Sequence, residues 1–115
     1  MKQLNILILS LGLATLSGQS LAAGDPAAGQ TKSATCVACH GADGNSSDAQ
    51  YPRLAGQYAD YLEQALKAYQ DGSRQNAIMS GFASGLSAQD IEDLAAYYAA
   101  QEGLQVTAIS RALKP

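Results

Sequence analysis

The sequence predicts one small all-α domain. Two segments carry apolar residues at the three- and four-residue spacing of a helix, and two predicted helix starts have a suitable capping residue. No segment alternates apolar and polar residues as a half-buried strand does. The chain has 115 residues, which is room for one domain. We therefore expect three to four helices around a single core.

The N-terminal segment, residues 1–23, is predicted to be a secretory signal peptide. It has a positive charge at Lys2, an apolar run over residues 6–16, and small residues leading to Ala23. The alternative is a retained membrane anchor, but this run is shorter than the roughly 20 residues that span a bilayer. We expect cleavage after Ala23 or after the residue before it. The exported, periplasmic domain would then comprise residues 24–115.

The composition excludes some classes of function and indicates an incomplete core. The net charge is −3, and loss of Lys2 with the signal peptide makes it one unit more negative. With no basic run, the chain is not expected to bind nucleic acid or an anionic membrane surface. It has no Trp, one Phe and 11 Gly, so little side-chain volume is available for packing. Domains this small usually need an added staple, and a large apolar cofactor would supply it.

The first helix is predicted to begin at Pro26. Asp25 is a suitable N-cap, and proline is favoured at the first helical position. We expect this helix to continue up to Cys36. Residues 41–56 are rich in Gly, Asp, Asn, Ser and Pro, which predicts an ordered loop.

The second helix has the clearest periodicity. Its apolar stripe falls at positions i, i+3, i+4, i+7, i+8 and i+11, occupied by Tyr58, Tyr61, Leu62, Ala65, Leu66 and Tyr69. Gly72 is expected to end it. The Gly- and Ser-rich residues 73–85 then predict a second loop.

The last predicted helix begins at Ser87. Ser87 and Asp90 have the spacing of a capping box, and Gly103 is a natural stop. The expected inner stripe is formed by Ile91, Leu94, Ala95 and Tyr98. Residues 104–115 have no firm period, so no element is assigned to them.

Both cysteines and the only histidine lie in the pentapeptide CVACH, residues 36–40. C-x-x-C-H is the attachment signature of c-type haem. The two-residue gap lets Cys36 and Cys39 reach the two vinyl groups on one edge of the porphyrin. The next residue, His40, can then give a ring nitrogen to the iron. The motif therefore predicts one covalently bound haem c.

Three other kinds of site contain closely spaced cysteines. A redox disulfide of the thioredoxin type lies where a strand meets a helix, and no strand is predicted here. A structural zinc site usually takes four Cys or His ligands, whereas this chain has three such residues. An inert disulfide would account neither for His40 nor for the small core. Haem attachment is the interpretation that accounts for both.

Met79 is the expected sixth ligand of the iron. A second histidine ligand is impossible, and Met1 is expected to leave with the signal peptide. Met79 follows His40 at a distance that lets the predicted loop cross the other face of the ring, and a thioether is a known axial haem ligand. The remaining donors carry nitrogen or oxygen, which suit ferrous iron less well: Lys67, Lys114 and Asn76.

With these residues in place, the chain resembles class I bacterial cytochromes c, and most of all one half of the dihaem cytochromes of the c4 type. The matching segments are AAGQTKSATCVACHG, YPRLAGQY, GSRQNAIM and LSAQDIEDLAAYYAAQ, in that order. They cover most of residues 25–101. The resemblance implies a small cytochrome c fold wrapped around one haem. The dihaem proteins have two C-x-x-C-H motifs and this chain has one, so pairing with a second copy stays open.

The resemblance also implies supporting roles. The carbonyl of Pro52 is expected to accept the Nδ1–H of His40, which fixes the tautomer of the ring. Gly29 is expected to let the first helix cross the last one closely, at Tyr97. The remaining implied pocket residues are Arg53 and Arg74 for the haem propionates and Asn76 for orienting the Met79 thioether.

The expected function is one-electron transfer between redox partner proteins, and not catalysis. Iron with His and Met ligands has no open position for a substrate. Two alternatives stay open: a haem subunit of a larger oxidoreductase complex, and a ligand-binding haem sensor or enzyme if Met79 does not ligate. No nucleic-acid partner and no stable membrane insertion after signal cleavage are expected.

Overall fold

A computed structural model describes residues 23–103, and this part of the chain is helical with no strand. The helices are α1 (Pro26–Lys32), α2 (Val37–His40), α3 (Ala59–Asp71), α4 (Ala77–Ser84) and α5 (Ala88–Ala99). The predicted all-α fold is confirmed. The predicted signal peptide and the unassigned segment 104–115 lie outside the described residues, apart from Ala23. Between residues 23 and 103, no helix has the length and apolar character that crossing a membrane requires.

The N-terminal helical segment begins as predicted and tightens before the cysteines. The side chain of Asp25 accepts the N–H of Ala27, and Pro26 occupies the first turn of α1. A 3₁₀ turn over Ser33–Thr35 then connects α1 to α2. The segment is therefore helical up to the cysteines, although it is not one continuous α-helix.

The loop predicted for residues 41–56 is present and is fixed to α5. Gly44 has a φ of 83°, and a Cβ there would lie 2.8 Å from the Tyr98 ring. Only glycine combines that backbone conformation with so close an approach. The Gly44 carbonyl accepts the N–H of Leu54 at 2.8 Å, and the N–H of Gly56 donates to the Tyr98 carbonyl at 2.9 Å.

Helix α3 ends at Gly72, as predicted, but the loop expected over residues 73–85 is wrong for Ala77–Ser84, which form α4. The Oδ1 of Asn76 accepts the N–H of Ile78 at 3.1 Å and of Met79 at 3.0 Å, and so caps the helix. The Gly and Ser residues of this segment have low helix propensity, so the sequence pattern does not predict this helix. The Asn76 cap and contacts with α3 compensate for that propensity.

Helix α5 begins with the predicted capping box and buries the predicted stripe. The Ser87 hydroxyl accepts the Asp90 N–H, and the Asp90 carboxylate accepts the Ser87 N–H. The helix ends at Ala99 and not at Gly103. The side chain of Asn45 donates to the Glu102 carbonyl at 2.8 Å, and this contact holds the chain away from a helical path.

The crossing of α1 and α5 is the most extensive contact between helices. Gly29 is buried there, and a Cβ at this position would lie 2.7 Å from the Cβ of Tyr97 and still closer to the Asp93 carbonyl. The expected close approach of Gly29 and Tyr97 is therefore present. The Tyr97 hydroxyl continues past the crossing and donates to the Ala42 carbonyl at 2.9 Å.

The apolar core is small and comes mainly from α5. Its buried cluster consists of Leu62, Leu94, Ala95, Tyr97 and Tyr98. The predicted stripe of α3 contributes one buried side chain to this cluster, Leu62. Most of the apolar face of α3 therefore does not pack into the core but lines a cavity.

A charged cluster fastens α1 to α5 beside the crossing. The Nζ of Lys32 lies 2.7 Å from the Asp90 carboxylate and 2.5 Å from the Asp93 carboxylate. Asp93 is 3% exposed and also accepts the N–H of Asp25 at 2.8 Å and the Nε2–H of Gln89 at 2.8 Å. Hydrogen bonding to Lys32, with these further donors, lowers the pKa of Asp93 to about 2. Lys32 likewise lowers the pKa of Asp90 to about 2.

This cluster predicts an acid-sensitive contribution to stability. A carboxyl whose folded pKa is about 2, below its ordinary 3.8, stabilises the fold above pH 3.8 and loses that contribution as the pH falls toward 2. We expect Asp93→Asn to melt at a lower temperature at neutral pH, and to lose less further stability in acid than the wild type does. Thermal unfolding followed by circular dichroism across this pH range measures both effects.

The matched control is Glu92→Gln, the same chemical change at the preceding position of α5. It is expected to keep the wild-type acid profile. An Asp93→Asn protein whose melting temperature falls in acid as steeply as that of the wild type would contradict the prediction.

Candidate functional site

The CVACH motif forms one helical turn. Cys36 occupies the N-cap position of α2, and its carbonyl accepts the N–H of Cys39 at 3.2 Å and of His40 at 2.9 Å. Residues at i, i+3 and i+4 share a helix face, so the two sulfurs and the imidazole lie on one side of the turn. Both cysteines are free thiols of intermediate burial, and His40 is 6% exposed.

The orientation of the His40 ring is fixed by a backbone group. Its Nδ1 lies 2.8 Å from the Pro52 carbonyl oxygen. Because a carbonyl can only accept, Nδ1 carries the proton and donates this hydrogen bond. The Nε2 atom is then left with a free lone pair, which is the form in which imidazole binds a metal.

A cavity opens beside this turn, bounded by α3, α4, α5 and the segment around Pro52. The lining side chains are mainly Leu, Ala, Tyr and Phe. The predicted site residues that line it are Cys36, His40, Pro52, Arg53, Arg74 and Met79. The structure thus brings the motif near the front of the sequence together with a methionine 39 positions after His40.

The apolar stripe of α3 faces this cavity. Its lining members are Tyr61, Leu62, Ala65, Leu66 and Tyr69. The first residue of the predicted stripe, Tyr58, does not line the cavity and is 77% exposed. The periodic apolar residues of α3 therefore mainly form one wall of the cavity, and few of them belong to the protein core.

Two predicted site residues do not line the cavity. Asn76 instead uses its side-chain oxygen to cap α4, so its contact with Met79 is to the backbone N–H. The thiol of Cys39 lies beside Tyr51 and raises the pKa of that phenol. Their roles toward a haem stay predictions.

The two arginines of the cavity are held by neighbouring oxygen atoms and rings. The Nε of Arg53 donates to the Ser46 carbonyl at 3.2 Å. The guanidinium of Arg74 lies 5.0 Å from the centre of the Tyr69 ring and donates to the Tyr61 hydroxyl at 3.4 Å. Both side chains belong to exposed residues, so the cavity has cationic groups where it meets solvent.

Tyr98 is a cavity residue that the sequence pattern indicates only as part of the core. Its ring is buried and lines the cavity, but its hydroxyl has no hydrogen-bond partner within residues 23–103. Burial, with a further effect of the nearby Cys36 thiol, raises the pKa of Tyr98, so this group stays a neutral donor. The α5 periodicity marks Tyr98 as inward-facing, but its position beside Cys36 follows only from the fold.

These residues fit a covalently attached haem. Two free thiols and an imidazole share one turn, and the ring nitrogen available for iron adjoins an apolar cavity. A thioether sulfur accepts hydrogen bonds and cannot donate them, which suits the unpartnered Tyr98 hydroxyl beside Cys36. A larger, open groove of about 810 Å³ follows the polar face of α3, and its lining contains no cysteine or histidine.

Comparison with known families agrees with this geometry. The family model described as cytochrome c matches residues 26–100, which is most of the chain. The chain belongs to the cytochrome c family. This family binds haem c and transfers electrons, and the spacing of Cys36 and Cys39 fits one haem c.

Individual relatives of this cytochrome c differ in length. Cytochrome c-554(548) of Halomonas halodenitrificans is 55% identical over 83 residues, which are 70% of this chain and 100% of that protein. Cytochrome c4 of Pseudomonas aeruginosa is 50% identical over 101 residues, which are 88% of this chain but 49% of that protein. The crystal structure of reduced recombinant cytochrome c4 from Pseudomonas stutzeri superposes with a TM-score of 0.68 and 45% identity, covering 71% of this chain and 48% of that one.

The chain therefore spans about half the length of its cytochrome c4 relatives. The resemblance of the sequence to one half of a dihaem cytochrome c4 is confirmed.

Other relatives are named for the enzymes with which they work. The thiosulfate dehydrogenase electron acceptor of Thiomonas intermedia is 49% identical over 73 residues, which are 63% of this chain and 34% of that protein. The cytochrome subunit of sulfide dehydrogenase of Chlorobaculum tepidum is 37% identical over 70 residues, which are 61% of this chain and 63% of that protein.

Proposed function

We propose that this cytochrome c is an exported one-electron carrier, with one haem c attached to Cys36 and Cys39 and with His40 and Met79 as the iron ligands. The observation that carries the proposal is the shared cavity: it is lined by His40, with its Nε2 lone pair free, and by Met79, the one thioether outside the predicted signal peptide. When bound, the haem takes up or releases a single electron. The roles of the chain's own residues follow from their surroundings.

The attachment is an addition and requires no oxidant. Cys36 and Cys39 would each hold the haem through a thioether: each thiol would add across one vinyl C=C bond, with a sulfur–carbon bond formed and the thiol hydrogen passed to the other vinyl carbon. The cysteines must be reduced for this step, and both are free thiols in the fold. Because they are three positions apart in one helical turn, attachment also fixes the imidazole of His40 beside the ring.

The two ligands are held by different means. The Pro52 carbonyl orders the His40 ring and makes Nε2 a stronger base. Met79 belongs to the first turn of a short helix, and Asn76 caps that turn by accepting the N–H of Met79. A Met79 thioether bound to the haem iron would favour the reduced form and raise the potential, and it would leave no open position for a substrate or gas. This combination supports a carrier over an enzyme.

Arg53 and Arg74 are the proposed partners of the haem propionates. Both line the cavity, and both are exposed residues with no carboxylate within salt-bridge distance among residues 23–103. Neutralising a propionate is therefore consistent with their position, since an arginine fork matches a carboxylate well. Tyr69, which lies under the Arg74 guanidinium, limits the directions that this side chain can take.

The partner proteins are proposed to be periplasmic oxidoreductases. The relatives named as an electron acceptor for thiosulfate dehydrogenase and as the cytochrome subunit of sulfide dehydrogenase support a second candidate, a permanent haem subunit of such an enzyme. Gel filtration of the protein from its native host separates the two. A carrier elutes as a small protein, alone or paired with a second copy, and a subunit elutes with its enzyme.

Covalent attachment predicts that the haem survives denaturation. We expect the haem to stay with the polypeptide through acid–acetone extraction and to give a c-type pyridine haemochrome spectrum. The Cys36→Ala, Cys39→Ala double variant is the control, and it should release its haem. Because the apolar core is small, this variant should also lose most of its far-ultraviolet circular dichroism. Haem that is extracted from the wild-type protein contradicts the proposal.

Ligation by Met79 predicts a specific change in the spectrum. Oxidised wild-type protein should show the weak near-infrared band of a sulfur-to-iron bond, and its reduced form should take up carbon monoxide slowly. Met79→Ala should abolish the band, lower the reduction potential and allow rapid carbon monoxide binding, because a weaker or exchangeable ligand replaces the thioether. Absorbance spectroscopy and potentiometric titration measure these effects.

The matched control is Ile78→Ala at the preceding position, where the side chain is 59% exposed and does not line the cavity. It should keep the band and the potential of the wild type. If wild-type protein lacks the band and binds carbon monoxide rapidly, Met79 is not the ligand. The sensor or enzyme alternative would then replace the carrier.

A further inference from the structure

Helix α4, which carries Met79, has little packing of its own. Ala83 is the one buried residue among its eight. The large apolar side chains Ile78 and Phe82 are 59% and 50% exposed. The helix packs against α3, and hydrophobic burial contributes little to that contact because so few of its side chains are covered.

The hydrogen bonds that join this helix to α3 come from Gln70. Its Nε2 donates to the Ala83 carbonyl at 2.8 Å and to the Leu86 carbonyl at 2.8 Å. These two carbonyls belong to the C-terminal turn of α4 and the residues after it, and the Ala83 carbonyl also accepts the N–H of Leu86 at 3.1 Å. Within residues 23–103, no other hydrogen bond connects α4 or its C-terminal turn to a different helix.

The position of this contact matters for Met79. Met79 and Ala83 are four residues apart, so they lie on the same face of α4, and both line the cavity. Fixing the Ala83 carbonyl therefore fixes how far α4 is rotated about its axis. It also fixes how closely this face approaches α3. A free C-terminal turn would let the whole face that carries Met79 move.

We propose that Gln70 is a positioning residue for the Met79 ligand. Its two hydrogen bonds hold the C-terminal turn of α4 against α3 and so keep the thioether from leaving the haem iron. This inference rests on ligation by Met79, as proposed above. No feature of the sequence indicates this role of Gln70. The residue directly follows the apolar stripe of α3, and glutamine is common at exposed helix positions.

The test compares three variants of the haem-loaded protein. Gln70→Glu keeps the shape of the side chain but replaces both N–H donors by oxygen, which repels the two carbonyls. Gln70→Leu removes the donors without adding charge. Gln64→Glu is the control, because it makes the same charge change at an exposed position of α3 on the open polar groove.

The measurement is the displacement of the thioether by imidazole in the oxidised protein, followed by loss of the near-infrared band. Both Gln70 variants should bind imidazole about tenfold more tightly than the wild type, since each lost hydrogen bond removes part of the free energy that retains Met79. Their band should also disappear at a lower temperature than the band of the wild type. The Gln64→Glu protein should match the wild type in both.

The possible outcomes separate this inference from the proposed function. Gln70 variants that melt earlier but bind imidazole with wild-type affinity show a structural role only and overturn the inference. A wild-type protein without the band shows that Met79 is not the ligand, and it overturns both proposals before any variant is made. A wild-type protein with the band and unaltered Gln70 variants overturns the inference alone.

Discussion

The helical turn from Cys36 to His40 is the constraint on which the rest of the site depends. It brings two sulfurs and one imidazole to a single face, and the Pro52 carbonyl then sets the proton on the imidazole. A cofactor held by this turn needs an apolar surface beside it, and α3 supplies one with side chains that would otherwise have formed a core. The small number of buried apolar residues and the apolar lining of the cavity therefore have one cause, because side chains of α3 line the cavity and do not pack into the core.

The sequence predicted those features that arise from local chemistry. The caps at Asp25 and Ser87, the stop at Gly72 and the CVACH turn involve neighbours in the chain, so their residue types identify them. The prediction failed for α4, where Gly and Ser are poor helix formers and the compensating contacts come from α3. It also placed the end of α5 too late, because the contact from Asn45 to the Glu102 carbonyl is distant in sequence. The position of Tyr98 beside Cys36 and the hydrogen bonds of Gln70 were not predicted for the same reason, because they join residues that are distant in sequence.

The two sides of the cavity differ in the number of contacts that hold them in the fold. The side that carries His40 adjoins the crossing of α1 and α5, where a buried glycine, a charged cluster and aromatic packing coincide. The side that carries Met79 is one short helix with a single buried residue. Rearrangement of the structure is therefore expected to begin at α4, because the opening of a segment requires less free energy where fewer apolar contacts and hydrogen bonds are lost.

The contact between the Asp25 backbone and the Asp93 side chain joins residues 68 positions apart. A chain that emerges from the ribosome or from a translocation pore with its N-terminus first exposes Cys36 and Cys39 well before Asp93 is available. During that interval the two thiols belong to an unfolded segment that enzymes and oxidants can reach. The order of the helices thus leaves both thiols accessible before α5 is available to pack against Cys36, and they stay able to add to a vinyl group only where their surroundings keep them reduced.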